Sequence, residues 1–291
     1  MTGASGARTT PGPVLVHRPR LTDRIADVLD RRLTVVTADA GFGKSTLLAS
    51  WSAATTSVTY TVGPGDQDLA SFVRGLSTAL GEHQHDAVTP ATDAQADAIA
   101  CALVPALADR GDVVLMLDDI HDLGAAAPSL RLVEALCRHA PPNVRMVVAG
   151  RRWPSFAVER LRGQGQLLVV GSAQLAFTPA EVAAVLDHRL GTDDAGLAAR
   201  LHQWSGGWPA AVVLAVEAIA DAPPGAWPDA VVRVAEPGRP MFTYLAEEIL
   251  EHLDDRVRRL VRAAAVVPWF TTELCEALGF SDARADLATL A

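Results

Sequence analysis

The stretch TADAGFGKSTLL, Thr37 to Leu48, sets two glycines, a lysine and two hydroxyl residues between a β-branched run and a helix-like segment. Glycine is disfavoured inside strands and helices alike, so its place at this junction asks for a chemical reason. A loop that leaves a buried strand and enters a helix can wrap its N–H groups around an anion, with the positive end of the helix dipole behind them. Glycine is required where that backbone turns and approaches closely, which is the reading for Gly41 and Gly43. Ala40, Phe42 and Thr46 complete the stretch of chain expected around a nucleotide. Lys44 is expected to contact the β and γ phosphates, and Ser45 to place its hydroxyl on Mg²⁺. The pattern G-x-x-x-x-G-K-[ST] is met except at its first position, Ala38, where alanine suits ordinary dihedrals. A strand–helix turn with an incidental lysine is the plainer alternative, and the strand before and helix after weigh against it.

A phosphate loop needs a partner strand that ends in an acid, and VVLMLDDIHDL supplies one. Five apolar residues from Val113 to Leu117 lead to Asp118, the expected Mg²⁺ carboxylate, and Asp119, expected to orient or deprotonate the attacking water. Alone, such a pair reads as a solvated loop start; beside the loop above it gains a role. Aspartate is shorter than glutamate, so slow hydrolysis is expected. His121 and Asp122 are read as structural or as polar support. VRMVVAGRRWP is the next strand, and Arg151 at its end is the candidate for sensing the γ phosphate, ahead of Arg152. A surface pair of cations is the alternative there.

These residues need elements to hold them. Strand-like runs recur at 33–37, 58–62, 113–117, 144–149 and 167–170, with helix-like segments at 20–31, 44–54, 66–81, 94–110, 128–139 and 156–162. Alternation of this kind implies a parallel α/β sheet covered on both faces. After Val170 the strand signal stops. TPAEVAAVLDHRL opens a helix with Thr178 as N-cap, Pro179 at N1 and Glu181 at N3, and further helices run to Ala220. DAPPGAWPDA reads as a linker, followed by amphipathic helices in FTYLAEEILEHL and DDRVRRLVRAAAVV and shorter ones at 271–278 and 283–290. Residues 1–12 read as a disordered lead-in.

The 291 residues are 49% hydrophobic with a net charge of −9, enough for a large core and with no overall basic field for a nucleic-acid backbone. Cys101, Cys137 and Cys275 lack metal-site spacing and read as reduced. No signal-like segment or membrane span is visible, so a cytoplasmic protein with no membrane contact is expected. The final ADLATLA runs on as a helix without a cap, so a fragment of a longer protein is expected.

HRPRL ahead of the first strand, TADAGFGKSTLLASW, LMLDDIHDL, VVAGRRWPSFAVERLRGQGQLLVV, LAFTPAEVAAVL, QWSGGWPAAVVLA and FTYLAEEILEHL occur in an order that resembles the STAND-class signalling ATPases, most closely the large LuxR-type, maltose-operon-activator-like regulators. The resemblance covers about Val16 to Leu278. It implies a P-loop NTPase sheet domain over 13–172, a helical domain over 173–228 and the start of a winged-helix domain over 229–291. It also implies a strand inserted between the two nucleotide strands, for which 58–62 is the candidate. By the same resemblance Pro209, in GGWP, packs near adenine, and Arg18 and Pro19 lie near the base or ribose; from the residues alone, Trp208 and Pro209 read as an ordinary helix start. Gly150 stands where the family often has serine. The family's sensor repeats and DNA-binding helix-turn-helix are not in this sequence, so DNA contact is expected only through a missing C-terminal domain. The implied function is an ATP/ADP switch that hydrolyses slowly and self-associates with ATP. A P-loop kinase acting on a small acceptor and a non-catalytic interaction module are the alternatives.

Overall fold

The computed structural model describes residues 16–81, 93–124, 128–154, 156, 158–220, 222–227, 231, 244, 255–264 and 271–284. The expected lead-in over 1–12 and the helix in FTYLAEEILEHL, apart from Tyr244, lie outside them, as does most of the expected helix 283–290. The chain divides into two compact units, Met1–Val213 and Leu214–Ala291.

The larger unit opens with two short helices, α1 (Pro19–Thr22) and α2 (Ile25–Leu29), followed by β1 (Leu33–Thr37), α3 (Lys44–Ala54) and β2 (Ser57–Thr61). A 3-10 turn (Pro64–Gln67) leads into α4 (Leu69–Ala79), α5 (Asp93–Ala108) and β3 (Val113–Asp118); a second such turn (Ile120–Leu123) precedes α6 (Pro128–His139), β4 (Val144–Gly150), α7 (Glu159–Gly163) and β5 (Leu167–Gly171). Helices α8 (Ser172–Leu175), α9 (Pro179–Leu190), α10 (Ala195–Ser205) and α11 (Pro209–Ile219) follow. In the second unit, α12 (Asp255–Ala264) and α13 (Thr272–Ala277) bury Leu260, Cys275 and Ala283 together, with Phe280 against them.

The five strands are all parallel, in the order β2-β3-β4-β1-β5. Side chains alternate across a strand, and burial follows that rule. Leu33, Val35, Leu115, Leu117, Met146 and Val148 pack on α4, α5 and α6, whose core includes Phe72, Leu76, Leu103, Val133 and Leu136. Val36, Val114, Met116, Val147 and Ala149 face the other way, onto Leu21, Val28, Leu47, Leu48 and Trp51 of α1 to α3. The indole of Trp51 donates to the Leu21 carbonyl at 3.0 Å and ties α3 to α1. The doubly covered parallel sheet expected from the alternation is the one observed.

Three expectations need correction. The strand between β1 and β3 is β4, not the segment at 58–62, which forms β2 at the sheet's edge. Its sequence SVTYT buries only Val58 fully and leaves Thr59 exposed, as a strand with one neighbour allows, whereas β4 has all but Arg145 buried. The single helix expected over 20–31 is broken in two: Arg24 N–H bonds to the Leu21 carbonyl (3.2 Å) and Ala26 N–H to that of Asp23 (3.4 Å), three-residue closures that tighten and end an α-turn. The segment 66–81 is likewise divided, because the Asp68 carboxylate accepts the Ser71 amide (2.9 Å) as N-cap of α4 while Asp66 accepts that of Gly63 (2.8 Å).

Candidate functional site

Because the strands are parallel, their C-terminal ends share one edge, and the register aligns Thr37 with Gly150 on one side and Gly171 on the other. The loop after Thr37 turns through Gly41 (φ 74°) and Gly43 (φ 81°), left-handed conformations that cost an L-residue with a Cβ of the order of 1–2 kcal/mol. Gly43 is the N-cap of α3, and the first backbone closure behind it is Leu47 N–H to the Gly43 carbonyl at 3.0 Å. Amides ahead of that closure have no partner within the helix, so the loop offers a run of N–H donors at a helix start.

Lys44 is buried, and its Nζ donates to the carbonyls of Ala38 (2.8 Å) and Asp39 (3.0 Å). Burial pulls the ammonium below its ordinary pKa. The Asp119 carboxylate opposes that, Arg151 adds to it, and Asp118 and Asp39 oppose it further. Asp118, Asp119 and Arg151, on two other stretches of chain, are therefore each within electrostatic reach of Lys44. Asp118 is 4% exposed and accepts the Asp119 amide at 3.0 Å. Asp119 is the only non-glycine residue with positive φ, 56°, among the described residues. His121 Nδ1 lies 3.7 Å from Asp119 Oδ1, and Nε2 lies 3.6 Å from Asp122 Oδ1. Burial holds its imidazole below the ordinary pKa, against the pull of both carboxylates. A Cβ on Gly150 would stand 3.2 Å from Ile120 Cγ1 and 3.5 Å from the His121 nitrogen, so glycine lets the turn after β3 pack on the end of β4.

Beside the loop lies a cavity of about 410 Å³. Its walls come from α1 and its N-cap (Arg18, Leu21), the loop and α3 (Gly41, Gly43, Thr46, Leu47) and the helical segment (Phe177, Pro209, Ala210). Two bonds join the loop to the start of α11: the Trp208 indole donates to the Ala40 carbonyl (3.0 Å) and the Ala210 amide to the Gly41 carbonyl (3.1 Å). The Phe42 and Trp208 rings are tilted, with centroids 6.5 Å apart. The Ala40 and Gly41 carbonyls are thus both engaged by the start of α11.

Arg18 is held by several partners beside the cavity. Its Nε donates to Glu181 Oε1 (3.3 Å) and its Nη2 to the carbonyls of Leu175 (2.5 Å) and Ala176 (3.2 Å), while the guanidinium stacks on Phe177 at 4.8 Å. Arg20 donates to both Glu181 oxygens (2.9 and 2.7 Å) and to the Gln174 and Ala176 carbonyls. Burial by itself would raise the Glu181 pKa, but the Arg20 hydrogen bond, the Thr178 amide and the charges of Arg18 and Arg20 bring it below the ordinary value. Thr178 and Glu181 also form the expected capping box of α9.

Of the residues singled out in the sequence, Arg18, Gly41, Gly43, Thr46 and Pro209 line the cavity. Ala40 and Phe42 face Trp208. Ser45 is exposed on the first turn of α3, and Pro19 opens α1 beside Arg18. Sequence reasoning missed Phe177, Gly207 and the part Glu181 plays outside its cap. The capping box was the one signal at Glu181, and it says nothing of an arginine 163 residues away. A serine hydroxyl and a carboxylate are hard oxygen donors of the kind a Mg²⁺–phosphate complex takes, so Ser45 and Asp118 fit that ion. Among the described residues no group of three or more His, Cys, Asp or Glu is placed to hold a metal by itself, and no helix is long and apolar enough to cross a membrane.

The sheet order, the glycine loop on β1 and the acid-tipped β3 define a P-loop NTPase. Residues 28–153 match the AAA domain family, and over most of its length the chain is similar in sequence to curated transcriptional regulators. One curated relative is the HTH-type transcriptional regulator MalT of Klebsiella pneumoniae (strain 342), 27% identical over 263 residues, which is 87% of this chain and 29% of that protein. The chain thus spans under a third of its relative's length. Among solved structures, the Walker-type ATPase PABY2304 of Pyrococcus abyssi superposes with a TM-score of 0.51 at 12% identity, over 87% of this chain and 80% of that one. The ORC1 protein of Aeropyrum pernix, solved in complex with DNA, gives 0.52 at 14% identity, over 88% and 73%. At such identities the likeness concerns the fold alone.

Proposed function

We propose that the chain is the ATP-binding switch module of a transcriptional regulator, in which ATP and ADP favour different arrangements of the sheet and helical segments and slow hydrolysis resets the switch. The observation that carries this reading is the tie between the phosphate loop and the helical segment, through Trp208 and Ala210. A ligand that contacts the loop on one side and Pro209 on the other has differential affinity for arrangements in which that tie is kept or broken, and only such a difference shifts an equilibrium. Self-association with ATP belongs to the same reading, as does the division into a sheet domain over 13–172, a helical domain over 173–228 and a winged-helix portion from 229. Transcriptional output is supported by the likeness to a helix-turn-helix regulator, of which this chain spans 29%.

In this reading the loop amides bind the phosphates, with Lys44 as the fixed cation beneath them. When bound, Mg²⁺ neutralises charge on the β and γ phosphates, with Ser45 and Asp118 as the residues that would hold it. Asp119 accepts the proton of, or orients, the attacking water, and Arg151 presents a cation toward the developing negative charge. Arg18 and Pro209 flank the base and ribose, with Pro19 behind Arg18.

Equilibrium binding of fluorescent ATP and ADP to the wild type and to Lys44→Ala tests the site. The expected result is a loss of about tenfold or more in affinity for both nucleotides, since a charge-assisted contact is removed. Equal affinity of the two proteins would remove the proposed site.

A further inference from the structure

From the Arg18–Glu181–Arg20 cluster we infer that Glu181 is a positioning residue for nucleotide retention, clasping the arginines at the start of α1 to the helical segment so that the wall of the cavity stays closed over its occupant. The inference rests on the nucleotide-binding reading of the cavity. Its ground is the way the two arginines are used. Arg18 is a cavity residue whose side chain is 12% exposed, and its cation is engaged by Glu181 and two main-chain carbonyls. Arg20 lines no part of the cavity, yet it donates to the same carboxylate and to the Ala176 carbonyl that Arg18 also holds.

Both arginines therefore converge on one short stretch, residues 174–181, which carries Phe177. Phe177 is a cavity residue stacked under Arg18, and its amide donates to the Gly207 carbonyl at 2.7 Å. Two residues further on, Pro209 and Ala210 complete the wall. Glu181 is 8% exposed and satisfies two cations and the Thr178 amide at once. A helix cap needs only the last of these contacts. The other two are explained by holding 16–22 against 174–181, and a ligand between those walls leaves only when they part.

The test measures the release rate of a fluorescent ADP from the wild type, Glu181→Gln and Arg20→Gln, together with the melting temperature of each nucleotide-free protein. Glutamine at N3 can still accept the Thr178 amide, so Glu181→Gln removes the charge while keeping the cap. Release is expected to quicken about tenfold in Glu181→Gln, the usual scale for a lost charge-assisted partner, and about two- to threefold in Arg20→Gln, where Arg18 keeps its hold. Arg20 is outside the cavity, so a faster release in its variant has to act through the shared carboxylate and carbonyls, and this variant carries the test should Glu181→Gln not fold. Lower melting temperatures with unchanged release would make the cluster structural only and overturn the clasp. A wild type that binds no ADP would overturn the clasp together with the nucleotide reading; a wild type that binds it, with both variants releasing at the same rate, overturns the clasp alone.

Discussion

Asp119 follows β3 in a left-handed backbone conformation, φ 56°, directly after a buried aspartate that accepts its amide. Asp and Asn visit this region more readily than other non-glycine residues because a short polar side chain compensates locally, and a residue held there beside charged neighbours marks a place where geometry was kept at some cost in stability. Asp119→Asn is expected to keep the backbone and stability but to slow single-turnover ATP hydrolysis about 100-fold, the ordinary contribution of a positioned base. Asp119→Ala is expected to lose that rate and about 1 kcal/mol of stability besides. Rapid-quench measurements and urea titrations of both variants check this, and an unchanged rate in Asp119→Asn would reassign the residue to a purely structural role.

Among the elements, the order of types along the sheet domain could be read from the sequence, and several bounds with it. The expected ranges 33–37, 44–54 and 128–139 coincide with β1, α3 and α6, because each is fenced by chemistry that stops one period and starts another: glycines after β1, and Pro128 before α6. The glycine turn between β1 and α3 and the acid at the end of β3 were legible as a loop and a strand end for the same reason. What was not legible depends on contacts distant in sequence. The position of β2 at the edge follows from pairing with β3 alone, and Thr59 and Tyr60 in a nominal core strand were the available hint. The approach of Phe177 to Gly207 belongs to the same class. A Cβ at Gly207, which has φ 76°, would sit 2.5 Å from the Phe177 carbonyl oxygen. Gly207→Ala is therefore expected to destabilise by about 1–3 kcal/mol, as overpacking does, seen as a lower urea midpoint; an unchanged midpoint would mean that the two segments lie further apart in solution.

For the whole molecule, two compact units in one chain mean that a single unfolding free energy is not defined. The loop, the cavity and the Arg18–Glu181 cluster all belong to Met1–Val213. A ligand stabilises the folded state that binds it, by about 2.7 kcal/mol at a hundredfold excess over its dissociation constant. Calorimetry with saturating Mg·ADP is expected to raise the transition of that unit in the wild type and to leave it in place in Lys44→Ala. A shift of the same size in the variant would assign the stabilisation to some other site.

The bond from the Ala210 amide to the Gly41 carbonyl gives this chain a built-in gauge. Exchange of that one proton with solvent reports whether the glycine turn and the fourth helix after the sheet are still joined, so their separation is open to direct observation at a single nitrogen, with no partner protein required.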